Sequence, residues 1–194
     1  SEAVHLLRKA YDAGFRFFDT ARYYTDSEKK LGIAFAGMRD KVIIASKTMA
    51  LDAESFRKDL ETSLQELGTD FIDIYQFHNP PFCPRPGGGS GLYEEMLKAK
   101  EAGKIRHISI TSHRYKVAEE AVTSGLYSTL QYPFSYLCGE HELRLVSLCR
   151  EHNVGFIAID HILKSTFEKE KIKQVPADIH SIHPRRVYVA FCMA

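Results

Sequence analysis

Cysteine is sparse and scattered: Cys83, Cys138, Cys149 and Cys192 are the four in 194 residues, and no two form a CxxC pair. That spacing argues against a disulfide framework and against a clustered thiolate metal site, and reads as reduced, buried thiols. Neither sign of charge dominates. Lys+Arg 26 against Asp+Glu 25 leaves a formal +1, so no global field draws the chain onto nucleic acid or an anionic membrane. A basic stripe with interleaved aromatics is also missing. No apolar run approaches the roughly 20 residues of a membrane-spanning helix. The opening SEAVHLLRKAYDAG has neither the basic end nor the apolar stretch of a secretion signal, so the expected setting is cytoplasmic. What is present is ordinary globular material, 44% hydrophobic and 26% charged, enough to build a core.

Short apolar runs alternate with helix-period segments. The runs are Phe15–Asp19, Val42–Lys47, Ile72–His78, Ile105–Ser112, Thr129–Ser135, Gly155–Asp160 and Val187–Phe191. Several are apolar at nearly every residue, the pattern of parallel strands covered on both faces. Between them, Thr25 with Glu28 reads as a capping box for a helix reaching Phe35. Asp52 caps a helix that buries Phe56, Leu60, Leu64 and Leu67 on one face, and Gly68 stops it. Gly14, Gly103 and Gly125 end other helices.

Strand ends recur about every 23 to 34 residues, the repeat of a βα unit, which predicts a parallel α/β fold in one domain over residues 1–194. A doubly wound sheet usually carries a Gly-rich turn after its first strand, and none is found. A (β/α)8 barrel of the TIM type fits better, but a full one takes about 250 residues. The chain also starts in a helix, at Glu2–Ala13. The expectation is an incomplete barrel, its first strand absent and its last units divergent, with open edges that invite self-association.

In barrels the chemistry gathers where strands finish. Here the first three strands finish in Asp19, Lys47 and His78, and Tyr24 follows the first. Each alone is ordinary solvated polarity. Four titratable types directed to one rim are a candidate catalytic constellation.

The stretches GFRFFDTARYYTDSEKKLG, VIIASKT and LGTDFIDIYQFHNP resemble the aldo-keto reductase family over about residues 1–160, with residues 161–194 a divergent tail. The resemblance implies hydride transfer between a nicotinamide cofactor, by family preference NADP(H), and a small carbonyl substrate. It implies a catalytic tetrad of Asp19, Tyr24, Lys47 and His78. Tyr24 has the family's five-residue spacing from the Asp and Tyr23 does not. Thr111 and Ser112 stand where the family has a Ser-Asn pair and Gln131 where it has a strand-end Gln, positions that hold the nicotinamide carboxamide. The pattern breaks after Ala158, where Ile159, Asp160 and His161 offer no stacking aromatic. Arg185 and Arg186 read as a solvated pair, and His180 and His183 with Cys192 are not a metal site. Two functions stay open: a reductase, or a non-catalytic scaffold that binds a cofactor weakly or a protein partner. The Pro- and Gly-rich stretch from Pro80 to Gly89 is expected to be a loop, a flap over the mouth.

Overall fold

The computed structural model describes residues 1–134, 138–159, 187–189 and 191–192. Tyr136, Asp160, His161 and the tail's His180, His183, Arg185 and Arg186 lie outside them. Six βα repeats account for most of the order: α1 (Glu2–Asp12), β1 (Phe17–Asp19), α2 (Ser27–Phe35), β2 (Ile43–Thr48), α3 (Ala53–Leu67), β3 (Ile72–His78), α4 (Leu92–Glu101), β4 (Ile105–Thr111), α5 (Tyr115–Thr123), β5 (Thr129–Pro133), α6 (Glu140–Glu151) and β6 (Gly155–Ile159). Two short strands follow, β7 (Val187–Val189) and β8 (Phe191–Cys192).

The sheet is wholly parallel in the order β7-β6-β5-β4-β3-β2-β1-β8. The architecture is therefore an incomplete TIM-type barrel: the six strands of the βα repeats form a curled sheet backed by helices, flanked by β7 and β8. One residue separates β7 from β8, so a single short stretch meets both edges. Val187–Val189 pair with Phe156–Ala158, and Phe191–Cys192 pair with Phe18–Asp19. The edges expected to be open thus both carry a ladder. Among the described residues no helix is long and apolar enough to cross a membrane.

Local chemistry explains the element ends. The Asp52 carboxylate accepts from the Glu54 and Ser55 amides at 3.0 and 2.9 Å, satisfying two donors that open α3. Gly68, at φ 62°, closes α3 in the left-handed region that a side chain would disfavour. Phe56, Leu60, Leu64 and Leu67 are all buried along that helix. The capping box at Thr25 does not form. Helix α2 begins at Ser27 behind Asp26, and no side chain caps it. Glu28 turns inward instead: it is buried, pairs with Arg22 and accepts from Ser46 Oγ at 2.6 Å. A charged pair and a hydroxyl outcompete one exposed backbone amide.

Residues two apart on a strand share a face, and this sorts the interior. Phe17, Ala45, Ile74 and Ile157 form a small apolar cluster inside the curled sheet, separate from the main core. Asp19, Lys47 and Gln76 lie two residues further along the same strands, so the same face turns polar toward the C-terminal edge. The main core, including Phe18, Ile44, Tyr75, Phe77, Ile110 and Leu130, packs between strands and helices.

The 79–91 segment is no free flap. Cys83 and Pro84 are buried, Tyr127 donates its hydroxyl to the Pro84 carbonyl, and the Gly87 amide donates to Glu94 of α4 at 2.8 Å. Arg85 pairs with Glu120 of α5 at 3.4 Å. The loop is seated on α4 and α5, because its apolar and proline residues find a surface there.

Near the strand starts, Asp73 is buried and gathers three donors. Arg39 Nη2 donates at 2.5 Å, Arg106 Nη1 at 2.8 Å and the Ile44 amide at 2.9 Å. Removing that carboxylate strands a partly buried guanidinium and a buried amide. Asp73→Ala is expected to lower unfolding free energy by about 3 kcal/mol, read as a reduced midpoint in urea; a midpoint within error of the wild type contradicts this account of the cluster.

Candidate active site

Asp19 closes β1 and Lys47 lies next to the end of β2, on paired strands whose register matches Asp19 with Ala45. Two residues of extended chain carry Lys47 to the same face. Both side chains are almost fully buried, and Lys47 Nζ donates to Asp19 Oδ2 at 2.5 Å and to the Thr20 carbonyl at 2.7 Å. An ammonium taken out of water is stable only with such partners. Each ion here makes the other tolerable.

The loop after β1 is held at both ends. Thr20 and Arg22 continue the ladder onto β2, their amides donating to the Ala45 and Lys47 carbonyls at 2.9 and 3.0 Å. Thr20 Oγ1 donates to Ser27 Oγ at 2.8 Å, and Ser27 N to the Tyr24 carbonyl at 2.8 Å. This pinned turn directs Tyr24 inward: its ring centre lies 5.1 Å from Lys47 Nζ and 5.8 Å from the His78 ring, edge to face. Tyr23 is 58% exposed. The structure therefore brings Asp19, Tyr24, Lys47 and His78 to one rim.

His78 ends β3. Burial, then the Lys47 charge, and more weakly His113, press its pKa down to about 4, while Asp19 pulls the other way. The imidazole is therefore neutral at neutral pH, and its Nδ1 is buried without a protein partner.

Thr111 and Gln131 are buried beside it, paired in register as His78–Thr111 and Thr111–Gln131. Gln131 Nε2 is a buried donor with no protein acceptor. Ser112 is buried too, but its hydroxyl is engaged: it accepts from the Arg114 amide at 3.0 Å and donates to the Arg114 carbonyl at 3.2 Å. That side chain shapes the turn into α5.

Two contributors were invisible in the sequence pattern. Gln76 sits within the apolar run of β3 yet is completely buried, its Nε2 donating to Asp19 Oδ1 at 3.3 Å and to Gln131 Oε1 at 3.1 Å. A polar residue two positions before His78 on one strand face is the signal that would have found it. The second is Asn79, at φ 52°. Its side chain accepts from the His113 amide at 3.1 Å and from Arg114 Nη1 at 3.0 Å, and Arg114 also reaches the Asn79 and Pro80 carbonyls. The turns after β3 and β4 are clamped together. Among the described residues no cluster of His, Cys, Asp or Glu is arranged to hold a metal ion.

Fold and site meet in one family. The sequence model of the aldo/keto reductase family matches residues 1–187, beyond residue 160 where the motif likeness stops. The chain belongs to the aldo/keto reductase family. It is 31% identical over 168 residues to aldo-keto reductase YhdN of Bacillus subtilis (strain 168), a span of 78% of this chain and 49% of that protein. L-galactose dehydrogenase of Arabidopsis thaliana is 35% identical over 121 residues, 57% of this chain and 38% of its own length. Among solved structures, an aldo/keto reductase from Brucella melitensis matches with TM-score 0.68 and 28% identity, over 87% of this chain and 70% of that one. An aldo-keto reductase from Klebsiella pneumoniae in complex with NADPH matches in fold, with TM-score 0.72 at 24% identity, covering 88% and 60%. The chain spans about half or less of the length of these two curated relatives.

The depressed His78 pKa has a stability consequence of definite sign. Between the ordinary histidine value near 6.5 and about 4, the unfolded chain binds the proton and the folded chain does not, so stability falls as pH falls through this window. His78→Gln removes that contribution. Urea midpoints measured from pH 7 to pH 4 are expected to decline less steeply in the variant; parallel declines would show that His78 titrates normally in the fold.

Proposed function

We propose that this chain carries the chemical half of an NADP(H)-dependent carbonyl reductase, taking small aldehydes or ketones to alcohols with Tyr24 as proton donor. The observation that supports it most is the convergence of a buried ammonium–carboxylate pair, a half-buried phenol and a neutral imidazole at the C-terminal edge of one barrel. What sets this pair apart from the buried pairs at Asp73 and Glu28 is that a phenol ring and a neutral imidazole face it.

A phenol with pKa near 10 is a poor proton donor at neutral pH unless its anion is favoured. The Lys47 charge beside the Tyr24 ring favours the phenolate, and each unit by which the pKa drops corresponds to about 1.4 kcal/mol. Asp19 anchors Lys47 beside the phenol. His78, neutral, donates a hydrogen bond that orients the carbonyl and supports the negative charge growing on its oxygen. Tyr24 Oη then hands its proton to that oxygen.

The interior also fits a nicotinamide. Gln131 Nε2 is an unmatched buried donor beside Thr111, suited to a carboxamide oxygen, so Thr111 and Gln131 would hold that group and Ser112 would shape the turn beneath it. When bound, the reduced nicotinamide supplies the hydride. The names of the relatives, reductases and a dehydrogenase, agree with this reading, as does the NADPH in the Klebsiella pneumoniae structure.

A saturable change in the fluorescence of NADPH itself on binding, together with turnover of a reactive aromatic aldehyde, is the expected behaviour. Tyr24→Phe should keep the NADPH Kd within about threefold while kcat drops by about 10³. Saturable binding with no turnover in the wild type would favour the scaffold function. No binding at all would remove the oxidoreductase reading.

A further inference from the structure

Gln76 occupies the middle of β3, between Lys47 of β2 and Ser109 of β4 in register, and none of its surface meets solvent. Its amide has two ends of opposite polarity, and its surroundings dictate which end faces where. Asp19 is ion-paired with Lys47, and a carboxylate offers only acceptors. An amide oxygen turned toward it would place two acceptors in contact in a medium with no water to separate them. The Nε2 end therefore faces Asp19, at 3.3 Å from Oδ1. The same Nε2 has a second proton, directed to Gln131 Oε1 at 3.1 Å. Gln131 must in turn show its oxygen to Gln76, which leaves Gln131 Nε2 as the outward donor, buried and unmatched.

The polarity thus runs from the Lys47 charge through Asp19 and Gln76 to the amide of Gln131. We propose that Gln76 is a positioning residue that fixes the orientation of the Gln131 amide and restrains the second oxygen of Asp19, so that the proton-transfer pair and the carboxamide-holding residue are set by one relay. Without it, Gln131 could exchange Oε1 and Nε2 by rotating its terminal torsion, a change that costs no space and inverts what the site recognises. The functional meaning of the relay rests on the reductase reading above; the relay itself does not.

Gln76→Met tests it, because methionine is unbranched and similar in length and volume but has no donor. In the protein without ligand, the ¹⁵N–¹H signal of the Gln131 side-chain amide should shift and broaden in the variant, with the backbone amide spectrum largely preserved. An unmoved Gln131 side-chain signal overturns the proposal. Gln131→Leu assigns the signal and supplies the second arm. If the wild type binds NADPH, Gln76→Met should raise the Kd about tenfold, and the Gln76→Met/Gln131→Leu double variant should bind no worse than Gln131→Leu alone, because one residue acts through the other. Fully additive losses would show independent packing effects and overturn it. The pH profile of kcat should also shift in Gln76→Met, since the groups of the site (Asp19 on β1, Lys47 on β2, His78 on β3, and His113 beyond β4, which acts on His78) keep their identities while Asp19 loses a restraint. Failure of the wild type to bind NADPH would defeat the reductase reading, and the ligand-free spectrum would still decide the role of Gln76.

Discussion

A lysine buried in the mouth of a barrel is the constraint on which the site depends. Its charge is tolerable only because the Asp19 carboxylate and the Thr20 carbonyl both receive its protons. Satisfying it fixes the ends of β1 and β2, and with them the turn that carries Tyr24. It also lowers the pKa of His78, since a second positive charge beside the first is unfavourable. That ion adds to the burial that keeps a neighbouring imidazole neutral, and it sets the path of a loop.

Around that ion the barrel is layered. A small apolar cluster of Phe17, Ala45, Ile74 and Ile157 precedes the polar face along the strands, and the packed core lies outside, against the helices. The two-residue period of extended chain is what allows β1, β2 and β3 each to contribute an apolar residue and then a polar one to the same face. Parallel strands align these changes at one edge, which is why the polar side chains gather there.

Much of this could be read from residue order, and the reasons it stopped short are physical. The strands announced themselves as apolar runs because both faces are covered. Asp52 and Gly68 marked the ends of α3 because a cap and a left-handed stop are local matters. Local rules failed where a longer-range partner won. Glu28 satisfies the pattern of a capping box but is drawn inward by Arg22 and Ser46. Gln76 was hidden in a run read as simply apolar, since nothing in a linear pattern reveals that two acceptors await one amide across the barrel. The proline-rich stretch looked free because composition does not show that Tyr127 and α4 hold it down.

The clamp made by Asn79 and Arg114 sets where this mouth can adapt. It ties the exits of β3 and β4 together, so neither turn can shift without breaking hydrogen bonds to the other. The opposite side carries Tyr23, Met49 and Leu51, each more than half exposed, on the exits of β1 and β2. Those three side chains meet solvent, so a change of bulk there disturbs little packing, whereas a change at Asn79 or Arg114 disturbs two strand exits at once.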